Sequence, residues 1–149
     1  MELALKLYIH HKQTKIVLAL NDLLAGLSLS GDRVVEFLQQ YNNALVDTEL
    51  TPLEFDDVYC NNGWLVADFI LPNGDEPELL PWLTLFHQAI PELDVRFSGE
   101  GEPESFLFLR YQDGSPELLQ CEEEEIEELL SYQEWFNEGL PEALQLNYL

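Results

Sequence analysis

Leu3, Leu5, Leu7 and Ile9 alternate with Glu2, Ala4, Lys6 and Tyr8. That period of two commits the start of the chain to a strand with one buried face. The pattern returns over 53–60 and 64–71, on either side of Asn61-Asn62-Gly63, whose residues tolerate the positive φ of a tight hairpin turn. It returns again at Leu93, Val95 and Phe97, from Phe106 to Tyr111, and near 117–121 after an Asp113-Gly114 turn. Strands joined by connections this short favour antiparallel pairing.

Elsewhere the period lengthens. Ile16, Leu20, Leu23, Leu24 and Leu27 form a helical stripe, with Gly26 as a stop signal. Ser30 suits the N-cap of a second helix, because its hydroxyl can satisfy a free backbone N–H. That helix turns Val34, Phe37, Leu38, Tyr41 and Leu45 inward. Pro77 and Pro81 bracket the start of a third helix, through Trp82, Leu83, Phe86 and Ile90, and Pro91 ends it. In the last helix Ile126, Leu129 and Leu130 line one side and Ser131 with Glu134 resembles a capping box, before Gly139 and Pro141 terminate it. The expected architecture is a single α+β domain over 1–149. It has an antiparallel sheet, helices packed mainly on one face, and the order β-α-α-β-β-α-β-β-β-α.

Charge sets the expected partners. The chain carries 29 acidic residues against 6 basic ones, a net charge of −23, yet 46% of it is hydrophobic, so it folds rather than remaining an acidic tail. Such a surface repels nucleic acid and anionic membranes, and direct binding to either is not expected. Glu outnumbers Asp by 20 to 9 and large aliphatic side chains are frequent, whereas a salt-adapted surface should be richer in Asp and poorer in such bulk. The N-terminus lacks the basic start and continuous apolar stretch of a signal peptide. No run reaches the ~18–20 apolar residues of a membrane helix. Cys60 and Cys121 read as free thiols of a reducing compartment, although one bridge between them stays open at this point. The expected location is cytoplasmic.

The acids are unevenly placed. From Tyr111 to Leu149 there are 11 acids and no base, and Glu122, Glu123, Glu124, Glu125, Glu127 and Glu128 form one block. On a helix, Glu123 and Glu127 sit one turn apart, as do Glu124 and Glu128; like charges so spaced destabilise a helix by ~0.2–0.5 kcal/mol per pair. A solvated helix face is the common reading of such a run. The functional reading is a row of carboxylates that occupies the lysines and arginines with which another protein holds phosphates. Glu134, Glu100 and Glu102 extend the face, and Trp135 and Phe136 would be its apolar anchors. Small acidic proteins of this kind include DNA-imitating inhibitors, immunity proteins and antitoxins, an analogy of charge and size alone.

Other chemistry finds little footing. His10 and His11 are adjacent and would point to opposite faces of a strand, and His87 is remote, so no metal site has a diagnostic spacing. Alternation likewise separates Asp56 from Asp57 and argues against a three-carboxylate site with Asp68. The Gly99-Glu100-Gly101-Glu102-Pro103 segment reads as a flexible loop between strands that could also serve as a contact, its own glutamates repelling phosphate. No catalytic residue or cofactor is expected. A small-molecule binder or unrecognised enzyme, with a pocket lined by Tyr59, Trp64, Trp82 and His87, is the competing alternative to a protein-binding face.

Overall fold

The structure is a computed structural model, and it describes residues 3–25, 31–45, 55–71, 79–101, 105–112 and 115–148. Its elements are β1 (Leu3–His10), α1 (Thr14–Leu24), α2 (Gly31–Leu38), β2 (Phe55–Asn61), β3 (Trp64–Leu71), α3 (Leu79–Ala89), β4 (Asp94–Gly101), β5 (Ser105–Gln112), β6 (Ser115–Glu122) and α4 (Ile126–Asn137). A 3-10 turn at Glu142–Leu144 follows. The α+β class and the order of elements agree with the reading above. Gly26, Leu27, Ser30, Pro77 and Glu102 lie outside the described residues.

The six strands form one antiparallel sheet in the order β2-β3-β1-β4-β5-β6. The expected hairpin closes with Asn61 paired to Trp64, and Asn62 and Gly63 take φ of 52° and 82°, the geometry of a two-residue primed turn.

Alternation divides the sheet side chains between two cores. On one face Leu5, Leu7 and Ile9 pack with Leu65, Ala67, Phe69, Val95, Phe97, Leu107 and Leu109 beneath α1, α2 and α3. On the other, Tyr8, Trp64, Val66, Phe108 and Cys121 pack beneath Leu129 and Phe136 of α4 and Leu140 and Leu144 of the segment after it. Three helices thus share one face, and α4 covers part of the opposite one.

The structure corrects several local expectations. Gly99 and Gly101 belong to β4 and not to a loop, and at Gly99 the strand passes close to its neighbours' side chains. A Cβ at Gly99 would stand 2.5 Å from Leu5 Cδ2 and 3.3 Å from Leu107 Cδ2, so the neighbouring leucines fill that space. Ser131 lies inside α4 and caps nothing. Tyr41 falls beyond α2 and is exposed, while Leu45 is buried as expected.

A bulge between Phe55 and Asp57 breaks the alternation of β2. Asp57 pairs with Asp68, and Asp56 joins Asp68 on the wall of one groove, so these carboxylates gather on the α4 side of the sheet. Cys60 and Cys121 stand on the two edge strands, about 24 Å apart at five strand spacings. Both thiols are free. Among the described residues no helix is long and apolar enough to cross a membrane.

Candidate acidic interface

The glutamate block is a turn before it is a helix. Glu122 ends β6, Glu123 and Glu124 lie in the turn, and Glu125 precedes the first residue of α4. The Glu125 N–H donates to the Glu122 carbonyl at 3.0 Å, and the Glu122 N–H donates to Glu125 Oε1, also at 3.0 Å. Glu125 therefore closes the turn on itself. Glu127 and Glu128 occupy the first turn of α4, where the positive end of the helix dipole favours them. The helical i, i+4 repulsions expected for Glu123–Glu127 and Glu124–Glu128 do not apply, since neither Glu123 nor Glu124 is in the helix.

All six block residues are exposed, as are Glu134 and Glu100. The ion pairs among the described residues join Lys6 to Asp68, Lys12 and His11 to Glu92, and Arg96 to Asp94. None reaches the block. Its internal repulsion is visible at Glu122, whose carboxyl is raised above the ordinary glutamate value because Glu124 hydrogen-bonds its protonated form and repels its ionised one. A carboxyl raised by folding opposes the folded state when ionised, and this cost is relieved as pH falls through its titration. In a Glu124→Gln variant the Glu122 titration, followed by side-chain carboxyl NMR, is expected to fall back toward the ordinary value of 4.5. An unmoved titration would show that Glu124 is not its cause.

Two arginines hold α4 from below. Arg96 and Arg110 are directly opposite each other on β4 and β5, and both are buried. Arg96 grips Asp94 with a two-pronged bond at 2.9 and 2.8 Å, donates to the Phe136 carbonyl, and lies 5.2 Å from the centre of the Trp64 ring. Arg110 donates to the Trp135 carbonyl at 2.6 Å and lies 5.4 Å from the centre of the Trp135 ring. Burial, and then the neighbouring Arg96 charge, push the Arg110 guanidinium below its ordinary value. The orphan carbonyls at the C-terminal end of a helix attract cations, and here the sheet supplies them. Beyond the helix Gly139 takes φ of 83°, a left-handed conformation that suits glycine. Two of only six cations are thus spent inside the fold, leaving the outer surface more uniformly negative than the composition suggests.

The segment after α4 is pinned to the same face. Asn137 Nδ2 donates to the Leu146 carbonyl and Asn137 Oδ1 accepts from the Leu146 N–H, both at 2.8 Å. The Tyr148 N–H donates to Gln133 Oε1 at 2.7 Å, and its ring packs on Phe106 at 4.6 Å. Burial, with Glu100 adding to it, pushes the Tyr148 phenol up to about 12.

The expected anchors are redistributed. Phe136 is fully buried and belongs to the core, and Trp135 is half-buried over Arg110. The side of α4 that Ile126, Leu129 and Leu130 were read as lining splits in two. Leu129, Gln133 and Phe136 face the sheet, while Ile126 and Leu130 are 55% and 44% exposed. These two, which the sequence reading placed on one side with Leu129, put apolar surface directly beside the carboxylates. The sequence did hold a signal for them, since Ile126 and Leu130 are i and i+4 while Leu129 and Phe136 fall on a neighbouring stripe.

A groove of about 270 Å³ beside the block is lined by Ser105, Phe106, Leu107, Gln120, Cys121, Glu122 and Glu125. A second, of about 430 Å³, opens on the part of the sheet that α4 leaves uncovered, among Lys6, Asp56, Asp68, Ile70, Glu100 and Tyr148. The residues proposed for a small-molecule pocket do not meet. Trp64 and Trp82 are buried in different cores, His87 stacks on Tyr111 at 3.7 Å, and Tyr59 is exposed on an edge strand. His10 stacks on Trp64 and the buried His11 accepts from the Gln13 N–H. Among the described residues no three His, Cys, Asp or Glu side chains are placed to hold a metal ion. No protein-family model, curated protein or solved structure matches this chain.

Proposed function

We propose that this protein is a non-enzymatic binding protein that masks the basic surface of a nucleic-acid-acting partner, as an inhibitor that imitates DNA. The observation that carries this reading is the β6–α4 turn. Six exposed carboxylates stand there on a rigidly held helix start, without a counter-charge among the described residues. Surface charge without a local partner steers association toward opposite charge and weakens as salt screens it. Protein surfaces that concentrate lysine and arginine most strongly are those that hold phosphates. An immunity protein against a basic nuclease would use the same face, and the identity of the partner separates the two.

The test is affinity capture from host extract at about 50 mM and about 200 mM salt, with duplex DNA added as competitor. The expected result is one basic, nucleic-acid-acting protein that is retained at low salt, depleted at high salt and displaced by DNA. Capture that is indifferent to both salt and DNA would overturn the reading.

A further inference from the structure

We infer that the outer face of α4 seats a basic amphipathic helix of the partner, with Ile126 and Leu130 as the apolar ridge on which it packs; this rests on the reading above and specifies its contact. Ile126 and Leu130 are one turn apart, about 6 Å along the axis, and both are exposed. At 100° per residue Glu134 continues the same line one turn further, and Glu127 lies beside it. Glu123 and Glu124 stand just before the helix start. The surface is therefore a short apolar ridge bordered by carboxylates, complementary to an apolar stripe bordered by lysines or arginines.

The chemistry of α4 favours a helix as the occupant. Past its first turn the helix spends its backbone hydrogen bonds internally and on Arg96 and Arg110, so an added strand finds no continuous main chain on it to pair with. Side-chain packing remains, and an i, i+4 ridge fits the groove between ridges of a second helix. The inner side of α4 is fixed by Leu129, Phe136 and the two arginines, so the ridge is presented without reorganisation. Among the described residues the other exposed large apolar side chains, Leu18, Tyr41, Tyr59 and Ile70, lie on other elements or connections.

The test uses two labelled synthetic peptides of about 18 residues, long enough to form a helix. Both have the same lysine and leucine content. One places its leucines on a single helical face, and the other scatters them around the helix. Binding to the whole protein is read by fluorescence anisotropy at about 0.15 M salt. The patterned peptide is expected to bind at least roughly tenfold tighter, and Ile126→Ser with Leu130→Ser to erase that preference while thermal unfolding stays in place. Equal, salt-sensitive binding of both peptides would overturn the helix inference and leave the acidic-face reading standing. A preference that survives the double serine variant would also overturn it. Failure of both peptides to bind would overturn the two together.

Discussion

Arg96→Met is expected to lower the midpoint of thermal unfolding by roughly 6–12 °C. The side chain is 2% exposed and serves three partners at once: the Asp94 carboxylate, the Phe136 carbonyl and the Trp64 ring. Methionine fills much of the volume but donates nothing, leaving a helix-end carbonyl and a half-buried carboxylate without their donors. Removing one partner of such an arrangement costs about 3 kcal/mol, and at this chain length each kcal/mol moves the midpoint by about 2–4 °C. Arg110→Met should be milder, on the order of 1 kcal/mol, because its loss also relieves the repulsion between the two guanidinium groups. Calorimetry on the two variants checks the ranking. Equal shifts would mean that packing alone, and not the Arg96 bonds, holds the end of α4.

Reversing Glu123, Glu124, Glu127 and Glu128 to lysine together is expected to weaken partner binding by about a hundredfold or more, with the fold intact. Each reversal removes an attraction and adds a repulsion, and about 2.8 kcal/mol in all suffices for a factor of a hundred. The loss should fall mainly on the association rate and shrink as salt rises, since these charges are exposed. Stability is expected to change little, because relief of the repulsion within the block is offset by loss of the Glu124–Glu122 hydrogen bond and of the favourable place of Glu127 and Glu128 at the start of α4. Surface-plasmon kinetics on the captured partner at two salt concentrations provides the measurement. An unchanged association rate would move the contact away from α4, with the groove among Asp56, Asp68 and Glu100 next to be tried.

The strands were legible because one face of each is buried, and burial imposes a period of two that survives any detail of pairing. The primed turn at Asn62-Gly63 was legible because positive φ restricts residue type locally. What escaped depended on contacts distant in sequence. Gly99 looks like a loop residue until Leu5 and Leu107 are known to flank it. Arg96 and Arg110 look like scattered cations until the β4–β5 register sets them side by side beneath a helix end. On α4 the apolar stripe is wider than one contact can bury, and the sheet takes the half containing Leu129 and Phe136. The acidic block was visible as charge, but its division into a turn and a helix start followed from the end of β6. The bulge at Asp56 left no mark that alternation could read.

The place of β1 in the sheet has a consequence for synthesis. β1, an inner strand, is made before either of its neighbours: Leu5 pairs with Phe69 on one side and Gly99 on the other. At about 5–20 residues per second, Leu5, Leu7 and Ile9 wait on the order of 5–20 seconds before their second neighbour has been made. Through that interval the nascent chain carries an apolar strand with open edges, the kind of segment that chaperones bind and that pairs wrongly with its own copies. The dense negative charge of the chain would hold unfinished copies apart, although its densest block, in the last 30 residues, arrives only after that interval has passed.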